Sequence, residues 1–304
     1  MLRFESVFWA SKDSENLKKR LSAIGFLVSP SRINPEKNNL FFGPESIELV
    51  SADEKEGITG IGLATSDIAH DFERVKKMNS KVGKPERAKT TTSHVPDWFA
   101  FDLPSELTPN LNARAVMQSN QFLELQTRET LPALHSNTCF GIEAVHFLSV
   151  LPETLIKKWS DLLEKSVAKL QWSEMSSAAA WRLQTNERFF DVVTLEKDSK
   201  LSKASREQEG IFMITLKVTD LELAKEICKK AGAQVLNCQN RDGFIVPTEF
   251  TGGPALRFAR AFWKSYLPEV TSNYPDGRRT DAFRPLGGAN TSTLQTGFQD
   301  DWSY

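Results

Sequence analysis

A chain of 304 residues, 40% hydrophobic and 25% charged, has room for two cores of common domain size. With Lys+Arg 38 against Asp+Glu 39 and a formal net charge of -1, it carries no field that would gather nucleic acid or an anionic membrane, so neither is expected as a partner. Charged residues arrive too early at the amino terminus for a signal-peptide apolar segment, no apolar run is long enough to span a bilayer, and the expected location is cytoplasmic.

Along the chain one pattern begins four times, at RFESVFWASKD, GITGIGLATSD, GIEAVHFLSVLPE and GIFMITLKVTD: a short strand, an acid, then an amphipathic helix. Asp13, Asp67 and Asp220 stand where a helix N-cap is favoured. In the first unit the apolar stripe is Leu17, Leu21 and Ile24, and strand-like runs follow, among them ESIELVSA with Glu48 between Ile47 and Leu49. The second unit has the stripe Phe72, Val75 and Met78 and a later run, FLELQTR, that repeats the acid-in-strand pattern with Glu124. Gly25, Asn79 and Gly232 are predicted to close helices in the left-handed conformation.

The turn-rich segment RETLPALHSNTCFG reads as a hinge between two halves. Beyond it, Leu155, Ile156, Trp159, Leu162 and Leu163 form the third helix face, and Ala224, Cys228 and Ala231 the fourth. Past about Arg260 the chain turns polar without a periodic stripe, as in a surface wrap or tail. Cys139, Cys228 and Cys238 lack CxxC spacing, so reduced thiols are expected. No GxSxG elbow, Walker loop or strand-linked GxGxxG occurs.

The runs ASKDSENLKKRLSAIGF, SIELVSA and FLELQTR, with the junction LHSNTCFGIEAVHFL, resemble the vicinal oxygen chelate superfamily of glyoxalases, bleomycin-resistance proteins and extradiol dioxygenases, and most of all its larger glyoxalase-like domain proteins. The resemblance implies an α+β protein of four βαβββ units paired into two tandem open-barrel domains of mixed sheet. The expected spans are 1–130 (units 1–55 and 56–130), 138–265 (units 138–205 and 206–265) and a polar extension, 266–304. It also implies a concave face that holds a small molecule, and metal ligands drawn from the first and last strands of paired units, commonly imidazole and carboxylate.

Placed on this sequence, those positions fall on Ser6 and Glu48, Gly60 and Glu124, Ala144 and Asp191, and Met213 and Arg257, with His146 as the third unit's position if the register moves by two. Two readings stay open. In one, Glu48 and Glu124 are catalytic and hold one divalent ion in a degenerate site of a lyase, isomerase or dioxygenase acting on a small oxygenated or aromatic metabolite. In the other no metal is held, and the protein binds or sequesters a ligand in the manner of bleomycin-resistance proteins. His146, Asp191, Arg257 and Ser6 are the candidate ligand-binding residues, and a monomer or homodimer is expected.

Overall fold

The computed structural model describes residues 3–30, 38–42, 45–52, 56–79, 81–87, 99–107, 114–119, 135–172, 178–185, 188–194, 209–238 and 242–260. The four strand-to-helix starts read from the sequence are present. Asp13 accepts from the Asn16 amide at 2.9 Å to open α1 (Ser14–Ala23), Asp67 from His70 at 2.9 Å to open α2 (Ile68–Met78), and Asp220 from Leu223 at 3.0 Å to open α4 (Leu221–Lys230). The third helix, α3 (Pro152–Leu163), starts without a side-chain cap, on a proline in its first turn, and ends at Glu164 with φ 52. A short fifth helix is α5 (Thr248–Thr251).

Sixteen described strands form two eight-stranded sheets. The first contains β1 (Arg3–Ser11), β2 (Ser29–Pro30), β3 (Asn38–Phe42), β4 (Glu45–Ser51), β5 (Gly57–Thr65), β6 (Glu86–Arg87), β7 (Phe99–Asp102) and β8 (Arg114–Ser119), in the order β2-β3-β4-β1-β5-β8-β7-β6. The second contains β9 (Cys139–Leu148), β10 (Val167–Trp172), β11 (Ala178–Thr185), β12 (Arg188–Val193), β13 (Gly210–Val218), β14 (Leu236–Asn237), β15 (Gly243–Val246) and β16 (Ala255–Arg260), in the order β10-β11-β12-β9-β13-β16-β15-β14. Each quarter repeats one plan: its first strand lies innermost, pairs in parallel with its last strand, and joins the sister quarter through an antiparallel first-strand pair, β1 with β5 and β9 with β13. This is the α+β arrangement of βαβββ units expected from the sequence, with neither sheet closed on itself.

Alternation assigns one side of each sheet to the helices. Val7, Trp9, Ile47 and Leu49 meet Leu17 and Leu21 of α1; Phe147, Phe190 and Val192 meet Leu155, Trp159 and Leu162 of α3. The two sheets share one apolar cluster, across which Phe4 and Phe190 meet edge to face at 5.8 Å. The helix stripes differ from expectation in two places. Met78 is 43% exposed, because the buried face of α2 ends at Val75, and Asn79 is extended at φ -148 instead of left-handed.

Gly25 and Gly232 do take positive φ, 91 and 81. At Gly25 the reason is also tertiary. Ser136 Oγ donates to the Gly25 carbonyl at 3.2 Å and Asn137 Nδ2 to that of Ile24 at 2.8 Å, so the junction segment docks on the end of α1, where an added Cβ would stand 2.9 Å from the Asn137 backbone. The three cysteines are buried, and none forms a disulfide among the described residues. Among the described residues no helix is long and apolar enough to cross a membrane.

Candidate functional site

The faces turned away from the helices carry the polar residues. On the first sheet one row runs Asn39, Glu48, Phe8, Gly60 and Arg114 across β3, β4, β1, β5 and β8. Glu48 is half-buried and lies opposite in sense to buried Ile47 and Leu49. Ser6 is buried two residues along and pairs with Ser46 and Gly62, and its Oγ has no hydrogen-bond partner. The last-strand residue registered with Gly60 is Arg114; Glu124, the other proposed carboxylate of this face, lies outside the described residues.

The second sheet carries a denser polar layer. Asp191 on β12 registers between Arg182 on β11 and His146 on β9, and one row over, Thr215 on β13 registers between Ala144 and Arg257 on β16. All of these side chains are 5% exposed or less. The Arg182 guanidinium grips Asp191 bidentately, Nε to Oδ1 and Nη2 to Oδ2, each at 2.7 Å. His146 Nδ1 stands 3.2 Å from Asp191 Oδ2, and its Nε2 is 2.7 Å from Thr215 Oγ1. Burial lowers the His146 pKa against the pull of Asp191. The neutral imidazole meets the threonine hydroxyl at Nε2 and turns Nδ1 toward the Asp191 carboxylate. Burial opposes ionisation of Asp191, but the Arg182 charge and hydrogen bonds, with His146, outweigh it and hold the carboxyl well below the usual range.

Around this chain lie Glu143, Lys217, Arg188 and, from the first sheet, Glu45. Arg188 Nε donates to Glu45 Oε1 at 2.6 Å, and the Ile142 amide donates to Glu45 Oε2 at 3.1 Å. Glu143 is 7% exposed, lies in the field of Lys217, Arg257, Arg182 and Arg188, and is raised in pKa by burial despite them. The described layer thus holds four cationic side chains, Arg182, Arg188, Lys217 and Arg257, against three carboxylates, Glu45, Glu143 and Asp191.

Three of the four pairs of sequence positions share one offset. The first-strand residue registered with Glu48 is Phe8 and not Ser6, with Asp191 it is His146 and not Ala144, and with Arg257 it is Thr215 and not Met213. A two-residue slip keeps a strand residue on its face, which is why the face was readable and the depth was not. Asp191 pairs with the guanidinium of Arg182, two bonds from the neighbouring strand. Arg182 and Glu143 were missed, although a charged residue inside the apolar runs AAAWRLQT and GIEAVHF was a visible signal.

No family sequence model matches the chain, and no curated relative matches it in sequence. Solved structures do match it in shape. The manganese(II)-bound glyoxalase from Novosphingobium aromaticivorans superposes with a TM-score of 0.59 at 14% identity, covering 84% of this chain and 81% of its own. The 2,2',3-trihydroxybiphenyl 1,2-dioxygenase of Sphingomonas wittichii gives 0.57 at 13%, covering 85% and 90%, and a 2,3-dioxygenase from a Pseudomonas species gives 0.54 at 11%, covering 91% and 95%. The chain has the vicinal oxygen chelate fold.

In that fold the first and last strands are where a metal would find donors, and the second sheet offers a poor set. Its positions hold one imidazole engaged by Thr215 and Asp191, one carboxylate gripped by Arg182, a hydroxyl and the Arg257 guanidinium. A fixed cation in the donor ring repels a divalent ion, and so these residues do not fit one. Among the described residues no three His, Cys, Asp or Glu side chains group to hold a metal.

Proposed function

We propose that this vicinal oxygen chelate protein handles a small oxygenated metabolite on the concave face of its second sheet, with the Arg257 guanidinium in the place of a metal ion. The observation that carries the reading is Arg257 itself, 3% exposed on the last strand and registered with Thr215, in a layer whose described cations outnumber its carboxylates. A guanidinium can neutralise and orient an anionic oxygen pair bidentately, which a metal does for vicinal oxygens by coordination. The Asp191 carboxylate and the Thr215 hydroxyl bracket the imidazole beside it. The ligand class is a small carboxylate or similar oxyanion, and the action is binding or sequestration without a metal step.

Calorimetric titration with small aromatic and aliphatic carboxylates tests this. The parent protein binds them after exhaustive dialysis against chelator, and Arg257→Gln weakens that binding at least tenfold. Equal affinity in the variant, or binding that appears only when manganese is restored, removes the reading.

A second reading places catalysis on the first sheet at Glu48. It is favoured by the half-buried carboxylate registered with Asn39, whose buried Oδ1 has no hydrogen-bond partner. A turnover assay on oxygenated aromatic metabolites separates the two, since Glu48→Ala abolishes turnover only under the second.

A further inference from the structure

Glu143 has no role in the network described above. The β9–β13 register steps from Thr215 with Ala144 to Leu216 with Ile142, leaving Glu143 as the extra residue of a bulge. Bulges re-aim a side chain at the cost of a ladder position. Here the re-aimed group is a carboxyl, 7% exposed, within the influence of Lys217, Arg257, Arg182 and Arg188. Its Oε2 nonetheless has no hydrogen-bond partner. A buried carboxylate oxygen left unbonded among so many donors is an expensive feature, and one that a purely structural counter-charge would not require. It is an acceptor in want of a donor, in the field of four cationic side chains.

We propose that Glu143 is the hydrogen-bond anchor of a ligand subsite for a small hydroxy acid: the ligand's carboxylate lies toward Arg257 and Lys217, and its neighbouring hydroxyl donates to Glu143 Oε2. This rests on the second sheet being the ligand face, and adds the chemical distinction that the ligand carries a hydroxyl as well as the anionic group. Phe189, over which Arg182 lies at 4.3 Å, and Phe212, 6.3 Å from the His146 ring, give the same layer aromatic surface. A site built to bond a hydroxyl discriminates against the analogue lacking it.

The probes are mandelate and phenylacetate, which differ by that one hydroxyl, titrated calorimetrically into the full chain and into Glu143→Leu, Glu143→Gln and Arg257→Gln. The parent binds mandelate about tenfold more tightly. Glu143→Leu loses the preference while keeping phenylacetate affinity, Glu143→Gln, still an acceptor, keeps part of it, and Arg257→Gln loses both acids. A preference that survives in Glu143→Leu overturns the role of Glu143 while leaving the ligand face standing. Failure of the parent to bind either acid overturns both. If Glu143→Leu does not fold, an undiminished preference in Glu143→Gln is fatal to the proposal, as is the absence of any preference for mandelate in the parent.

Discussion

Asp191 receives two parallel hydrogen bonds from Arg182 at 2.7 Å, and its Oδ2 faces His146 Nδ1 at 3.2 Å, all three side chains 5% exposed or less. The pair is buried deeply enough that losing one member strands the other's charge. Arg182→Met is expected to cost about 3–5 kcal/mol in urea unfolding, whereas Arg182→Met with Asp191→Leu recovers much of the loss, because no lone charge remains. A single variant as stable as the parent would show that the carboxylate finds another counter-charge.

His135 supplies a pH dependence. Its Nδ1 accepts from the Leu27 amide at 2.9 Å, so Nε2 carries the hydrogen and donates to the Phe41 carbonyl at 3.0 Å. Burial, against that Phe41 bond, pushes its pKa down to about 4. The unfolded chain, with a histidine pKa of about 6.5, therefore binds more protons than the native state as pH falls from there toward 4. Stability is full above the unfolded value and declines through this window, by up to roughly 3 kcal/mol from this residue. Unfolding at pH 7 and pH 4.5 checks it: His135→Gln flattens part of the slope, and an unchanged slope would place the proton uptake elsewhere.

Glu45 ties the sheets together, holding Arg188 through Oε1 and the Ile142 amide through Oε2. The parallel pairing of β12 with β9 starts at Phe189 and Ala144, and Ile142 precedes it. Glu45→Ala leaves a half-buried guanidinium and a buried amide without this acceptor, a loss of about 2–4 kcal/mol. Glu45→Gln, which can still accept from Ile142, is expected to lose less. Equal losses would assign the effect to packing.

The donor set at Thr215 and Arg257 makes a gain-of-function prediction. Thr215→His with Arg257→Glu replaces a hydroxyl and a cation by an imidazole and a carboxylate next to His146. That variant is expected to retain about one manganese ion per chain more than the parent through dialysis, by elemental analysis. No gain over the parent would mean that Arg182 and Lys217 dominate the field.

The four repeats were legible because each is local: a strand, an N-cap aspartate and a helical stripe need only neighbours within about a dozen residues. Glu48, His146, Asp191 and Arg257 were legible as strand residues of one face, since alternation has a period of two and survives any slip of two. Met78 and Asn79 were misread because a stripe does not say where the covering sheet ends.

What the chain alone determined is therefore the four-unit plan and the lack of imidazoles at most of the expected positions. Tertiary structure decided the rest: that Phe8, His146 and Thr215, each two residues further on, are the partners registered across the strands, that Asp191 is gripped by Arg182, and that a bulge leaves Glu143 buried in the field of four cations. Register, bulges and cross-strand ion pairs depend on contacts between segments far apart in sequence, whose energies no local pattern encodes.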